Sequence, residues 1–170
     1  MIQDSLSLTL NSPETSYRKI DNYRNEKMII VNSAINELRS HLSFTQLRFH
    51  CSKQDGRTFH VTTVANSIGE AVIQYFTGQT ETMPASCGSF ERMKDDNSYL
   101  SRNCAQWGKD DEGNFHSGTW SHQGMSELYD HPVFILNAYH WVTHPGLHRY
   151  ECDDFASLPS PGGFWRVYVR

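Results

Sequence analysis

Four cysteines, Cys51, Cys87, Cys104 and Cys152, constrain this chain more than any other feature. Their even number suits two disulfides formed in an oxidising compartment, and no Cys-x-x-Cys pair is present to suggest a zinc ribbon or a thioredoxin-type redox site. Of the three connectivities, the favoured one pairs Cys87 with Cys104 and Cys51 with Cys152. The first bond closes a short loop around Met93-Lys94-Asp95-Asp96-Asn97, and the second joins two strand-like segments, 47–51 and 149–152. In the chain-entropy model each closure is worth about 3–5 kcal/mol. Four buried free thiols in a cytosolic protein are the competing account. At 170 residues the chain has a length typical of one domain and can bury a sizeable core, so the bonds brace a core and do not replace it.

Period-two patterning gives the clearest local structure. Leu47, Phe49 and Cys51 alternate with Arg48 and His50, an Asp55-Gly56 turn follows, and Phe59, Val61 and Thr63 alternate with His60 and Thr62. This predicts an antiparallel hairpin with one face on a core and one face wet. Asn66-Ser67-Ile68-Gly69 reads as a second turn and 70–76 as a further strand, with a short helix as the competing assignment. At the other end, Trp165, Val167 and Val169 alternate with Arg166, Tyr168 and Arg170 in a terminal strand that would complete a sheet and offer a docking edge.

The stretch 14–42 holds the best helical spacing, with Ile30, Ala34, Ile35, Leu38 and Leu42 on one stripe. Residues 1–13 are polar, end in Ser12-Pro13 and read as an arm. Residues 80–130 are rich in Gly, Ser, Asp and Asn and need long-range packing, disulfides or ions to hold them. Pro132 to Val142 is apolar enough for a buried strand or short helix. With no repeat or linker, 14–170 reads as one domain. The expected fold is α+β or mainly β: an antiparallel sheet or sandwich with an N-terminal helix and long disulfide-tied loops.

Charge and hydropathy narrow the function classes. With 15 Lys+Arg against 19 Asp+Glu there is no basic surplus for nucleic acid. The longest apolar run, Met28-Ile29-Ile30-Val31, is far short of the roughly 20 residues a membrane span needs. Met1-Ile2-Gln3-Asp4-Ser5 lacks the basic start and apolar core of a secretory leader, so secretion implies a mature form.

Candidate site residues fall into three groups. Asp95 and Asp96, and Asp110 and Asp111, cluster on short polar loops able to supply oxygen ligands to calcium, although neither loop follows the EF-hand pattern and ordinary solvated turns share this composition. His140, His144 and His148 are spaced His-x3-His-x3-His; on a helix the first two would share a face and could hold zinc for a hydrolase, but the metalloprotease Glu is absent and Pro145-Gly146 breaks a helix. Trp107 and Trp120, with His122, lie among polar residues as sugar-binding aromatics do, although such rings also anchor loops to a core. No nucleophile elbow or phosphate-binding glycine motif occurs.

The order Asp95-Asp96-Asn97, then Asn103-Cys104-Ala105, then Gly118-Thr119-Trp120 resembles part of the fibrinogen-related domains over residues 91–120. The resemblance implies a secreted, calcium-assisted recognition domain for glycans or acetylated groups, with Asp95 and Asp96 as calcium ligands and the region of Trp120 and His122 bordering the ligand pocket. Taken together, the expectation is a secreted, non-catalytic recognition or adhesion module. It would bind a glycan or glycoprotein surface with Ca2+ ordering its loops, would not insert into membranes, and could self-associate. The alternatives are a structural or assembly subunit of an extracellular matrix or filament and the histidine-based zinc hydrolase.

Overall fold

In the computed structural model the described residues are 13–22, 28–108, 117–144, 149–155 and 162–170. The hairpin organises the first sheet. Strands β1 (Leu47–Ser52) and β2 (Thr58–Thr63) pair antiparallel, with His50 opposite His60 and Cys51 opposite Phe59. Gly56 turns the chain at φ 85°, a conformation glycine adopts without a Cβ penalty, and the Asp55 carboxylate accepts the Arg57 N–H at 2.9 Å. Strand β3 (Phe90–Arg92) adds to β2, and the last strand, β7 (Phe164–Val169), adds to the free side of β1, giving the order β3-β2-β1-β7. Alternation then sorts the side chains: Leu47, Phe49 and Cys51 are fully buried on the inner face, whereas Arg48, His50 and Ser52 are only partly covered on the outer one.

A second antiparallel sheet follows, with β4 (Val133–Ile135), β5 (Tyr139–His144) and β6 (Arg149–Phe155) in that order. The apolar stretch after Pro132 is therefore two strands joined by a tight turn. Trp141 of β5 packs its ring against Phe49 and Phe59, 5.7 and 5.9 Å between centroids, so the inner faces of the two sheets share one core. The Cys51–Cys152 disulfide links β1 to β6, and Cys87–Cys104 ties the segment before β3 to the turn after α3 (Tyr99–Arg102). Both favoured pairings are present. The fold is α+β, built on antiparallel sheets.

The helices depart more from the sequence reading. Helix α1 (Asn32–Leu42) takes only the end of the stretch 14–42; Tyr17–Asn22 is a 3-10 turn, and Glu14 bridges Ile30 in parallel. Ala34, Ile35 and Leu38 are buried, but Leu42, expected on the same stripe, is exposed. The strand expected over 70–76 is instead helix α2 (Ser67–Phe76). Asn66 decides this: its side-chain oxygen accepts the N–H groups of Ile68 and Gly69, which caps a helix start where a turn was expected. Val72, Ile73, Tyr75 and Phe76 are all buried, and that density of branched and aromatic residues mimicked a strand. Gly69 is needed where it stands, because a Cβ there would overlap the Val64 carbonyl. Of the arm read over 1–13, residues 1–12 lie outside the described residues.

Candidate functional site on the outer sheet face

The outer face of the four-stranded sheet gathers the chemistry. In register, Arg48, His50 and Ser52 of β1 lie between Tyr168, Arg166 and Phe164 of β7 on one side and Thr62, His60 and Thr58 of β2 on the other. At the β2 side, the His50 and His60 rings stack with centroids 3.7 Å apart and planes within 7°. The turn after β3, with the Met93 N–H on the His60 carbonyl and the Asp96 N–H on the Met93 carbonyl, hangs Asp95 beside them. Asp95 lies 2.6 Å from His60 Nδ1 and 3.7 Å from His50 Nε2.

Electrostatics follow from this packing. Burial and the neighbouring His60 push the His50 pKa down to about 4, with Arg48 and Arg166 acting in the same direction and Asp95 opposing. Near neutral pH the His50 ring is therefore uncharged. Burial alone would raise the Asp95 carboxyl, but the hydrogen bond with His60 outweighs it and holds the group below its ordinary value.

At the β7 side, the Arg48 guanidinium lies over the Tyr168 ring at 4.1 Å and Arg166 over Phe164 at 5.1 Å, while the His50 ring meets Phe164 edge-on at 4.8 Å. Arg48 Nε is buried and has no hydrogen-bond partner among the described residues. Phe164 is exposed at 38%.

Among the described residues expected to bind calcium, Asp95 reaches this face and Asp96 does not. Asp96 is a structural acceptor: its carboxylate takes the His60 N–H at 2.7 Å, Arg92 Nε at 3.1 Å, the Ser101 hydroxyl at 2.5 Å and the Ser98 hydroxyl at 3.2 Å. With those donors and a guanidinium around it, Asp96 has no open lone pair to give calcium. The Asp95–Asp96 pair is thus divided between two jobs. Asp110 and Asp111 lie outside the described residues.

Trp107 and Trp120 cannot offer a face to a sugar, because both are fully buried. Trp107 stacks on Phe90, 4.9 Å between centroids, and meets Trp120 edge-on at 4.9 Å. Their indole N–H groups donate to the Leu100 carbonyl and the Ser89 hydroxyl. They are core rings that pin the loop-rich half of the chain. His122 is partly exposed, its ring against Phe134 at 3.9 Å and 5.7 Å from His131.

His140 and His144 do not share a helix face, since both lie on β5. His140 is 2% exposed, and both its nitrogens are engaged, Nδ1 with Glu151 at 2.5 Å and Nε2 with the Leu136 carbonyl at 2.6 Å. His144 sits 3.7 Å from Asp130, which is also bonded to His131 at 2.6 Å. The zinc pair expected here is therefore not assembled. His148 lies outside the described residues.

His50 and His60 were read from sequence only as the polar half of an alternation. Their signal was the hairpin itself: each stands five residues from Asp55, so a turn centred there sets them opposite one another. No protein-family model matches the chain, and comparison with curated proteins and with solved structures finds no match. The likeness to fibrinogen-related domains thus rests on residues 91–120 alone.

Proposed function

We propose that this chain is a secreted, non-catalytic recognition module that binds acidic glycans on the outer face of its four-stranded sheet. The observation that carries the reading is the Arg48–Tyr168 stack beside Arg166 and Phe164. Aromatic faces suit the C–H groups of a sugar ring, and guanidinium forks suit its hydroxyl, carboxylate or sulfate oxygens. The unpartnered Arg48 Nε adds a donor for which an anionic ligand would provide the acceptor. Two disulfides fit an oxidising, extracellular setting.

The test is a glycan array probed with the purified chain, with calcium and with EDTA, alongside R48A and Y168A. The reading expects sulfated or uronic-acid glycans to be retained by the wild type and lost by both variants. Silence of the wild type on the array would overturn it and favour an assembly role using β7, the edge strand among the described strands. Because Asp96 is internally bonded, EDTA is expected to leave binding intact.

A further inference from the structure

The geometry points to a transition-metal site at the β2 side of the same sheet face, with His50, His60 and Asp95 as ligands and zinc as the ion that best suits them. One ligand atom from each residue lies within 4.8 Å of the other two. Ligand atoms around a tetrahedral zinc are spaced about 3.4 Å apart, given metal–ligand bonds of about 2.0–2.2 Å, so side-chain adjustment of about 1 Å closes the site. Between His60 and Asp95 the ion takes the place of the proton that Nδ1 now shares with the carboxylate. The two imidazole planes are within 7° of parallel, so a common ion requires one ring to turn. His50 is the ring with room, its side chain 18% exposed against 9% for His60.

Two further observations separate this cluster from an ordinary hydrogen-bonded one. His60 is more than nine-tenths buried, so packing holds its ring with Nδ1 aimed at Asp95 inside the cluster, whereas the buried His140 has both nitrogens engaged in hydrogen bonds. Asp95 is 56% exposed on its turn and can follow an ion without disturbing the sheet. Two imidazoles and a carboxylate suit zinc, copper or nickel; calcium takes six to eight oxygens and is poorly served. Arg48 and Arg166 flank His50 and oppose a cation, which keeps the affinity moderate. Three protein ligands leave a tetrahedral ion one position for water or an exogenous oxygen.

The inference does not depend on glycan binding and is tested with metal alone. The full chain, freed of metal by chelator and dialysis, is titrated with zinc chloride by calorimetry and with cobalt chloride in the visible range. H50Q and D95N are the working variants, because both positions are partly exposed; H60Q is secondary, since a buried position can fail for reasons of folding. The expected result is one zinc per chain with a micromolar dissociation constant, weakened about tenfold or more in H50Q and in D95N while their circular dichroism is unchanged. In NMR spectra zinc should move the His50 and His60 ring signals and leave those of His140 in place. Absence of saturable zinc binding, or zinc held equally well by both variants, overturns the site.

Discussion

Cys51 and Cys152 hold the two sheets together: one lies on an inner strand of the first, the other on β6 of the second, with Cα atoms 5.8 Å apart across a sequence separation of 101. Both are fully buried. Closing a loop of that length stabilises a folded domain by about 4–5 kcal/mol in the chain-entropy model. The C51A/C152A double variant is expected to lose that amount in urea unfolding. A loss under about 1 kcal/mol would mean that the aromatic core alone keeps the sheets in register.

Asp153 is a second junction. Fully buried and at φ 57°, it accepts the N–H groups of Tyr99 and Leu100 at the start of α3 and holds Arg57 of the hairpin at 2.6 Å. Burial pushes its carboxyl above the usual range despite these bonds. D153A leaves two backbone donors and a guanidinium without their acceptor and adds strain at a left-handed backbone, for an expected cost of about 3 kcal/mol. D153N keeps the shape, one carbonyl acceptor and tolerance of that φ, so about half the cost is expected. Equal losses by denaturant titration would show that the acceptor role is not what matters.

The tryptophans offer a rapid check of which rings are core. Trp107, Trp120 and Trp141 are at most 1% exposed, whereas Trp165 on β7 is partly open, under Lys53 at 5.1 Å. Iodide is expected to quench only the Trp165 component of the fluorescence, and W165F should abolish the quenching. Quenching that survives in W165F would place another indole at the surface.

Acid sensitivity has a definite sign. Burial would raise the Glu151 carboxyl, but its bonds to His140 and Arg149 outweigh that and hold it below its ordinary value; the hydrogen bond with His131 does the same for Asp130. Between the depressed folded value and the ordinary unfolded one, the unfolded chain binds more protons, so stability rises with pH. The contribution is complete above the unfolded value and is lost as pH falls through the folded one. E151Q is therefore expected to cost most near neutrality and progressively less as pH falls from the ordinary carboxylate value through the lower folded one. A wild-type-to-E151Q difference that does not change with pH would remove Glu151 from the acid response.

The parts of this fold legible from sequence were those decided locally. Strands β1, β2 and β7 follow from alternation and a two-residue turn signal, the Cys51–Cys152 bond from two segments that could meet as strands, and the Cys87–Cys104 bond from the short loop it closes. Where tertiary packing decides, the pattern misled. Helix α2 does carry a polar stripe at helical spacing, Ser67, Glu70 and Gln74, with Gln74 bonded to Glu70, but its run of branched and aromatic residues outweighed that signal and the Asn66 cap. Trp107 and Trp120 sit in polar sequence but are buried by contacts with each other and with Phe90, which composition cannot report. Asp95 and Asp96 are neighbours in sequence, yet one faces solvent and the other is enclosed by Ser98, Ser101 and Arg92, a distinction created by the turn geometry.

The pairing of β1 with β7 sets a schedule for folding. Strand β1 is made early and remains with one open edge until the segment Phe164–Val169 arrives to pair with it. Nearly the whole described chain must therefore be present before the first sheet is complete, and contacts this distant in sequence slow the search for the native state. In the interval the exposed edge of β1 and the unpaired Cys51 beside it are open to mispairing, so the final strand acts as the latch that closes the fold.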